Sequence, residues 1–91
     1  MFLKDPDAEL DYRVDWSEAV PAGTSIVDSS WRVEPLEVGG VEVLAGPTDG
    51  SVAVARLRGG VPGRIYAVGN LVSFSDGSRD ERSLVVRVEE R

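Results

Sequence analysis

The chain has 91 residues, 42% of them hydrophobic and 29% charged, which is the size of one ordinary domain and the composition of neither a disordered chain nor a membrane span. Ten Lys and Arg against sixteen Asp and Glu give a net charge of −6, which repels phosphate backbones and anionic lipid surfaces, so neither nucleic acid nor a membrane is an expected partner. With no Cys and no His, the chain lacks disulfides, thiol nucleophiles, the usual metal ligands and the usual general base, and no cofactor is expected.

Met1, Phe2 and Leu3 run directly into the charged Lys4-Asp5-Pro6-Asp7. No basic stretch is followed by an apolar one, so no secretion signal is expected. Residues 1–9 are read as an N-terminal arm and residues 10–91 as a single β-sandwich domain. Over residues 10–16 Leu10, Tyr12, Val14 and Trp16 alternate with Asp11, Arg13 and Asp15, the period of a half-buried strand and the first one expected. One helical turn could form at residues 17–19, closed by Pro21. Residues 25–34 hold Val27, Ser29, Trp31 and Val33 in one phase, a second strand with Trp31 facing inward.

Val41, Val43 and Ala45 predict a short third strand, and residues 46–50 a turn. Residues 51–57 then form a fourth, with Val52 and Val54 set against Ala53, Ala55 and Leu57. The clearest strand is residues 64–75, where Tyr66, Val68, Asn70, Val72 and Phe74 share one face. Asp76-Gly77 is a strong hairpin signal, and Leu84, Val86 and Val88 form the last strand, alternating with Val85, Arg87 and Glu89.

Short strands separated by turn signals at this spacing predict an all-β fold, an immunoglobulin-like β-sandwich of about six to seven strands. Tyr66, just after Gly63 and near the start of a penultimate core strand, is placed as in the tyrosine corner of such domains. A domain this small buries only about 60 to 65% of its unfolded surface, so contacts with neighbours would add stability.

No constellation in the chain matches a catalytic or metal site. Asp5, Asp7, Glu9, Asp11 and Asp15 lack the glycine and terminal glutamate of a calcium loop. The serines have no His to activate them. Gly59-Gly60-Val61-Pro62-Gly63 lacks the lysine of a phosphate loop and reads as a turn. Arg79, Arg82, Arg87 and Arg91 gather in and after the last hairpin, while the acid gathers near the start. Two readings stay open for them: solvated faces, or charge-complementary contact between copies or with a partner. Trp16 and Trp31 read as core. Phe2 and Leu3, ahead of the first alternation, have no evident core to fill and are candidates to dock on another surface.

A resemblance runs nearly end to end. It is carried by Lys4-Asp5-Pro6-Asp7, Leu10-Asp11-Tyr12, Asp15-Trp16-Ser17, Ser30-Trp31 with Val33, Gly59-Gly60, Pro62-Gly63, Tyr66 and Asn70. Asp80-Glu81-Arg82-Ser83-Leu84, Arg87-Val88 and Glu90-Arg91 complete it. In order and spacing this set resembles the small fiber-tail adaptor proteins of tailed bacteriophages; residues 34–50 depart from that pattern by being longer and richer in Gly and Pro. The resemblance implies a non-enzymatic virion structural protein with an immunoglobulin-like β fold, assembled in the bacterial cytoplasm and located in the virion tail. Its implied partners are other tail, connector or fiber proteins, met as a symmetric multimer. The interface residues expected on this basis are Met1, Phe2, Leu3, Lys4, Asp5, Pro6, Arg79 and Arg82. A different class remains as the alternative: a stand-alone β-sandwich module that binds a peptide or glycan through loops or a sheet edge.

Overall fold

A computed structural model of the chain describes residues 2–19 and 22–90. The expectations placed on Met1, Pro21 and Arg91 lie outside the described residues. Among the described residues there are seven strands: β1 (Phe2–Lys4), β2 (Leu10–Asp15), β3 (Ile26–Glu34), β4 (Val41–Asp49), β5 (Val52–Gly59), β6 (Ile65–Phe74) and β7 (Arg79–Val88). They form a four-stranded sheet in the order β1-β7-β6-β3 and a three-stranded sheet in the order β2-β5-β4. The all-β sandwich expected from the alternation is the fold observed. Its helical content among the described residues is one 3-10 turn, Ser17–Ala19, where the Asp15 carboxylate accepts from Ser17 N–H at 2.9 Å and starts the turn.

The β6–β7 hairpin follows from its local chemistry. Phe74 N–H donates to Ser78 C=O at 2.8 Å, and Gly77 N–H donates to Phe74 C=O at 2.9 Å. Gly77 has φ of 90°, the left-handed residue that a three-residue hairpin loop requires. Asp76 Oδ1 accepts from both Ser78 N–H (2.9 Å) and Ser78 Oγ (2.6 Å), locking the loop. Along β6 every residue of the expected inward set, Tyr66 to Phe74, is buried.

Three elements differ from the sequence-based expectation. Phe2–Lys4, ahead of the first alternation, runs as a strand parallel to β7, with Phe2 opposite Val86 and Lys4 opposite Val88. It was not legible because three residues show no periodicity. In β3, Ile26 faces Phe74 and Asp28 faces Ser73, so Val27 is an extra residue and the phase slips there. Val27 is therefore exposed, while Ile26 packs against Val14, Trp16, Val72 and Phe74. In β4 the expected turn at residues 46–50 is mostly strand. Ala45 pairs with Ala55 and Thr48 with Ala53, so Gly46 and Pro47 together face Val54 as a bulge. A Cβ on Gly46 would lie 2.9 Å from Val54 C=O, and Pro47 has no N–H to offer a ladder. Both residues are accommodated because β4 is an edge strand.

The core has two clusters. Val33, Val41, Leu57, Tyr66, Val68, Val86 and Val88 form one, and Val14, Trp16, Val72 and Phe74 the other. Tyr12 and Trp31 pack against both and meet edge to face, their ring centres 5.6 Å apart. Trp31 has the inward phase expected of it but stays half-buried, because β3 is an edge.

Candidate assembly interface

β1 ends the four-stranded sheet and leaves one row of its backbone groups unpaired. Its side chains alternate about the sheet. Lys4 points inward and is 1% exposed, and its ammonium donates to Gly59 C=O at 2.7 Å and to Asp5 C=O at 2.9 Å. Burial pushes the Lys4 pKa below its ordinary value, against the opposing pull of Asp5, Asp7 and Glu9. A cation so enclosed is tolerated because its ammonium reaches two backbone carbonyls, and every fully buried side-chain N or O among the described residues has a partner. Lys4 thus ties β1 to the β5–β6 turn and offers no charge to an outside partner. Phe2 and Leu3 remain 39% and 43% exposed.

The expected interface residues fall into two groups that the fold does not bring together. Residues 2–6 lie beside the C-terminal end of β7, whereas Arg79 and Arg82 lie in its N-terminal half. At about 3.3 Å per residue, Arg82 and Val86 are ~13 Å apart along the strand. Arg79 is exposed near the hairpin tip. Arg82 shares the inward phase of Leu84, Val86 and Val88, and where the core ends it folds over Trp16. Its guanidinium lies 4.6 Å from the ring centre and donates to Asp15 C=O at 3.1 Å.

On the outer face of the same sheet, Arg32 of β3 and Glu81 of β7 form a 2.8 Å ion pair across the intervening strand β6. Gly69 makes this possible: a Cβ there would lie 3.3 Å from Glu81 Oε2. The pair is exposed and adds little stability by itself.

Among the described residues two clefts open along the lateral edges of the sandwich, and neither is legible in the alternation of the strands. One, of about 170 Å³, lies between β1 and β2 and is lined by Phe2, Leu10, Asp11, Tyr12, Leu57 and Leu84. The other, of about 490 Å³, lies between β3 and β4, with Trp31, Val33, Leu36, Val41, Val43 and Leu44 as its apolar lining. Leu36 and Val38, in the turn that joins these strands, are 84% and 100% exposed. The sequence held one signal for them, two apolar residues alternating with Glu37 between Pro35 and Gly39 in a segment with no strand pattern.

The family model described as podophage GP4 fiber-tail adaptor protein gp77 matches residues 4–87, and the chain belongs to that family. No curated protein matches the chain.

Proposed function

We propose that this member of the fiber-tail adaptor family is a non-enzymatic structural protein of the phage tail that joins tail or connector to fibers through symmetric protein-protein contacts. The family match over residues 4–87 carries the reading. The absence of His and Cys from the sequence and the acidic, open-edged sandwich support it. Phe2 to Pro6, with Met1, contact one neighbouring subunit through the exposed side chains of β1 and the turn after it. Arg79 and Arg82 contact another through the hairpin, about half a strand away. Assembly takes place in the bacterial cytoplasm, before the tail is complete.

The sandwich is further assigned to the immunoglobulin-like class. Its orders β2-β5-β4 and β7-β6-β3 follow the pairing of such domains, with the first strand attached to the last. Tyr66 supports the same assignment, since its hydroxyl accepts from Val61 N–H at 3.0 Å, a few residues upstream, and donates to Glu37 Oε1 at 2.6 Å.

One observation favours a second reading. The β3 edge beside the Trp31-lined cleft would suit a stand-alone module that recognises an extended peptide or a glycan. Cryo-electron microscopy of purified virions discriminates between the two. The adaptor reading expects a symmetric ring of small β-sandwiches at the tail that fits this chain. Absence of the protein from purified particles overturns it and leaves the binding module.

A further inference from the structure

Exposed apolar side chains stand at both lateral edges of the sandwich, the two most exposed, Leu36 and Val38, at one of them. Phe2 of β1 lines the 170 Å³ cleft, with Leu3 exposed on the other face of the same edge strand, and Leu36 lines the 490 Å³ cleft, with Val38 exposed two residues on in the same turn. Apolar surface concentrated at a cleft marks a contact site more than scattered exposure does. The two sides are unlike each other, with a small hollow on one and projecting side chains around a larger hollow on the other. A contact between unlike sides of identical chains is heterologous, and it closes into a ring when the rotation permits.

Each of these sides carries one backbone edge of each sheet, β1 with β2 and β3 with β4. In the three-stranded sheet, the β2 edge carries Asp11, Arg13 and Asp15, and the β4 edge is broken by the Gly46-Pro47 bulge. Both features discourage strand addition. The four-stranded sheet ends in the three-residue β1, with Lys4 turned inward, and in β3, which carries Asp28, Arg32 and Glu34 and a bulge at Val27, so strand addition is discouraged there too and the contact rests on side chains.

Charge complements this pairing at one end, although Glu37 and Glu42 also line the β3–β4 cleft. The β1–β2 turn carries Asp5, Asp7 and Glu9, and none of the ion pairs among the described residues involves them. Beside the β3–β4 turn, the largely exposed Arg64 guanidinium lies 3.7 Å from Glu37, a loose pairing. Both groups sit at one end of the sandwich, since Glu89 N–H donates to Lys4 C=O and Val88 N–H to Arg64 C=O. Copies standing side by side with their ends level therefore bring the acidic turn of one toward Arg64 of the next.

We propose that the β3–β4 side of one copy receives the β1–β2 side of a second copy of this chain, head to tail. Leu36 and Val38 seat at the cleft beside Phe2, and the acidic turn faces Arg64. The proposal rests on the symmetric adaptor reading and names the surfaces that would build the symmetry.

The test uses the full chain and two variants, one blocked on each side. Leu36→Asp with Val38→Asp blocks the β3–β4 side, and Leu3→Asp with Asp7→Lys blocks the β1 side. Thermal unfolding followed by circular dichroism checks that each folds; Val38→Asp alone, at a fully exposed position, replaces the first pair if that one does not, and Asp7→Lys alone replaces the second. Sedimentation of the wild type up to roughly millimolar concentration should show species larger than a monomer. Each variant alone should be monomeric, and an equimolar mixture should form a one-to-one pair that grows no further, because each partner keeps one intact side. A monomeric wild type, a variant that still self-associates, or a mixture that forms no pair overturns the proposal. If the protein is found in virions while the mixture forms no pair, the surfaces are wrong and the adaptor reading stands. If the mixture pairs but the protein is absent from virions, the reverse holds.

Discussion

Trp16 donates its indole N–H to Asn70 Oδ1 across the sandwich at 2.9 Å, and Asn70 Nδ2 donates onward to Ser29 Oγ and Ser30 C=O. Both side chains are fully buried. Asn70 stands in the inward phase of β6 among valines and aromatics, and it is the polar group that satisfies the tryptophan and joins β6 to β3. Replacing Asn70 by Val keeps much of the volume and orphans the indole N–H, so Asn70→Val should lower stability by about 2 kcal/mol. Trp16→Phe with Asn70→Val should cost less than the sum of the two single changes, measured by urea unfolding.

Gly60 tolerates no side chain. Its φ is 116°, and a Cβ would lie 2.5 Å from Val88 Cγ2 and 3.1 Å from Val41 Cγ2, both in the core. Strain and overpacking act together in Gly60→Ala, which should destabilise by about 2 kcal/mol or more. The thermal midpoint reads the loss; an unchanged midpoint would mean that the β5–β6 turn can relax.

Tyr66 should make the fold sensitive to alkali. Burial first, and then its bond to Glu37, raise the Tyr66 pKa above the ordinary tyrosine value. Tyr12 is raised as well, by burial. A raised acid keeps its proton in the native state after the unfolded chain has lost it, so the native state binds more protons above about pH 10. The contribution is complete below about pH 10 and is lost as the pH rises through the folded value. Tyr66→Phe should flatten this fall in denaturant titrations at several alkaline pH values, at the cost of leaving Val61 N–H without its hydroxyl partner.

Arg82 covers Trp16 at the open end of the core. Arg82→Ala should expose the ring and cost about 0.5 to 1 kcal/mol. Its effect should vary little with salt, since its partners are a ring and a backbone carbonyl. Tryptophan fluorescence in the folded state should shift to the red. No shift would place the guanidinium away from the ring in solution.

The acid side carries a signal of its own. Asp76 is held below the usual carboxylate range by the side-chain and backbone hydrogen bonds of Ser78, and Asp15 by those of Ser17. Lowered acids stabilise above their unfolded value of about 3.9, and that contribution is lost as the pH falls through the folded values. Asp76→Asn should weaken the loss of hairpin order at low pH, followed by amide exchange across β6 and β7.

The alternation over residues 10–16 and along β6 determined by itself that the chain is all-β and which faces point inward, and Asp76-Gly77 determined the last hairpin. These signals are local, since side-chain direction repeats every second residue and a turn is read from its own few residues. Tertiary structure alone decided the rest. The extra residue at Val27 and the bulge at Gly46-Pro47 depend on a partner strand's register, which one strand's pattern cannot reveal. The inward positions of Lys4 and Arg82 depend on what lies opposite, Gly59 C=O for one and the Trp16 ring for the other. The edges of the two sheets, and so the lateral clefts beside Phe2 and Leu36, follow from the order β1-β7-β6-β3 against β2-β5-β4, which arises only when distant segments pair.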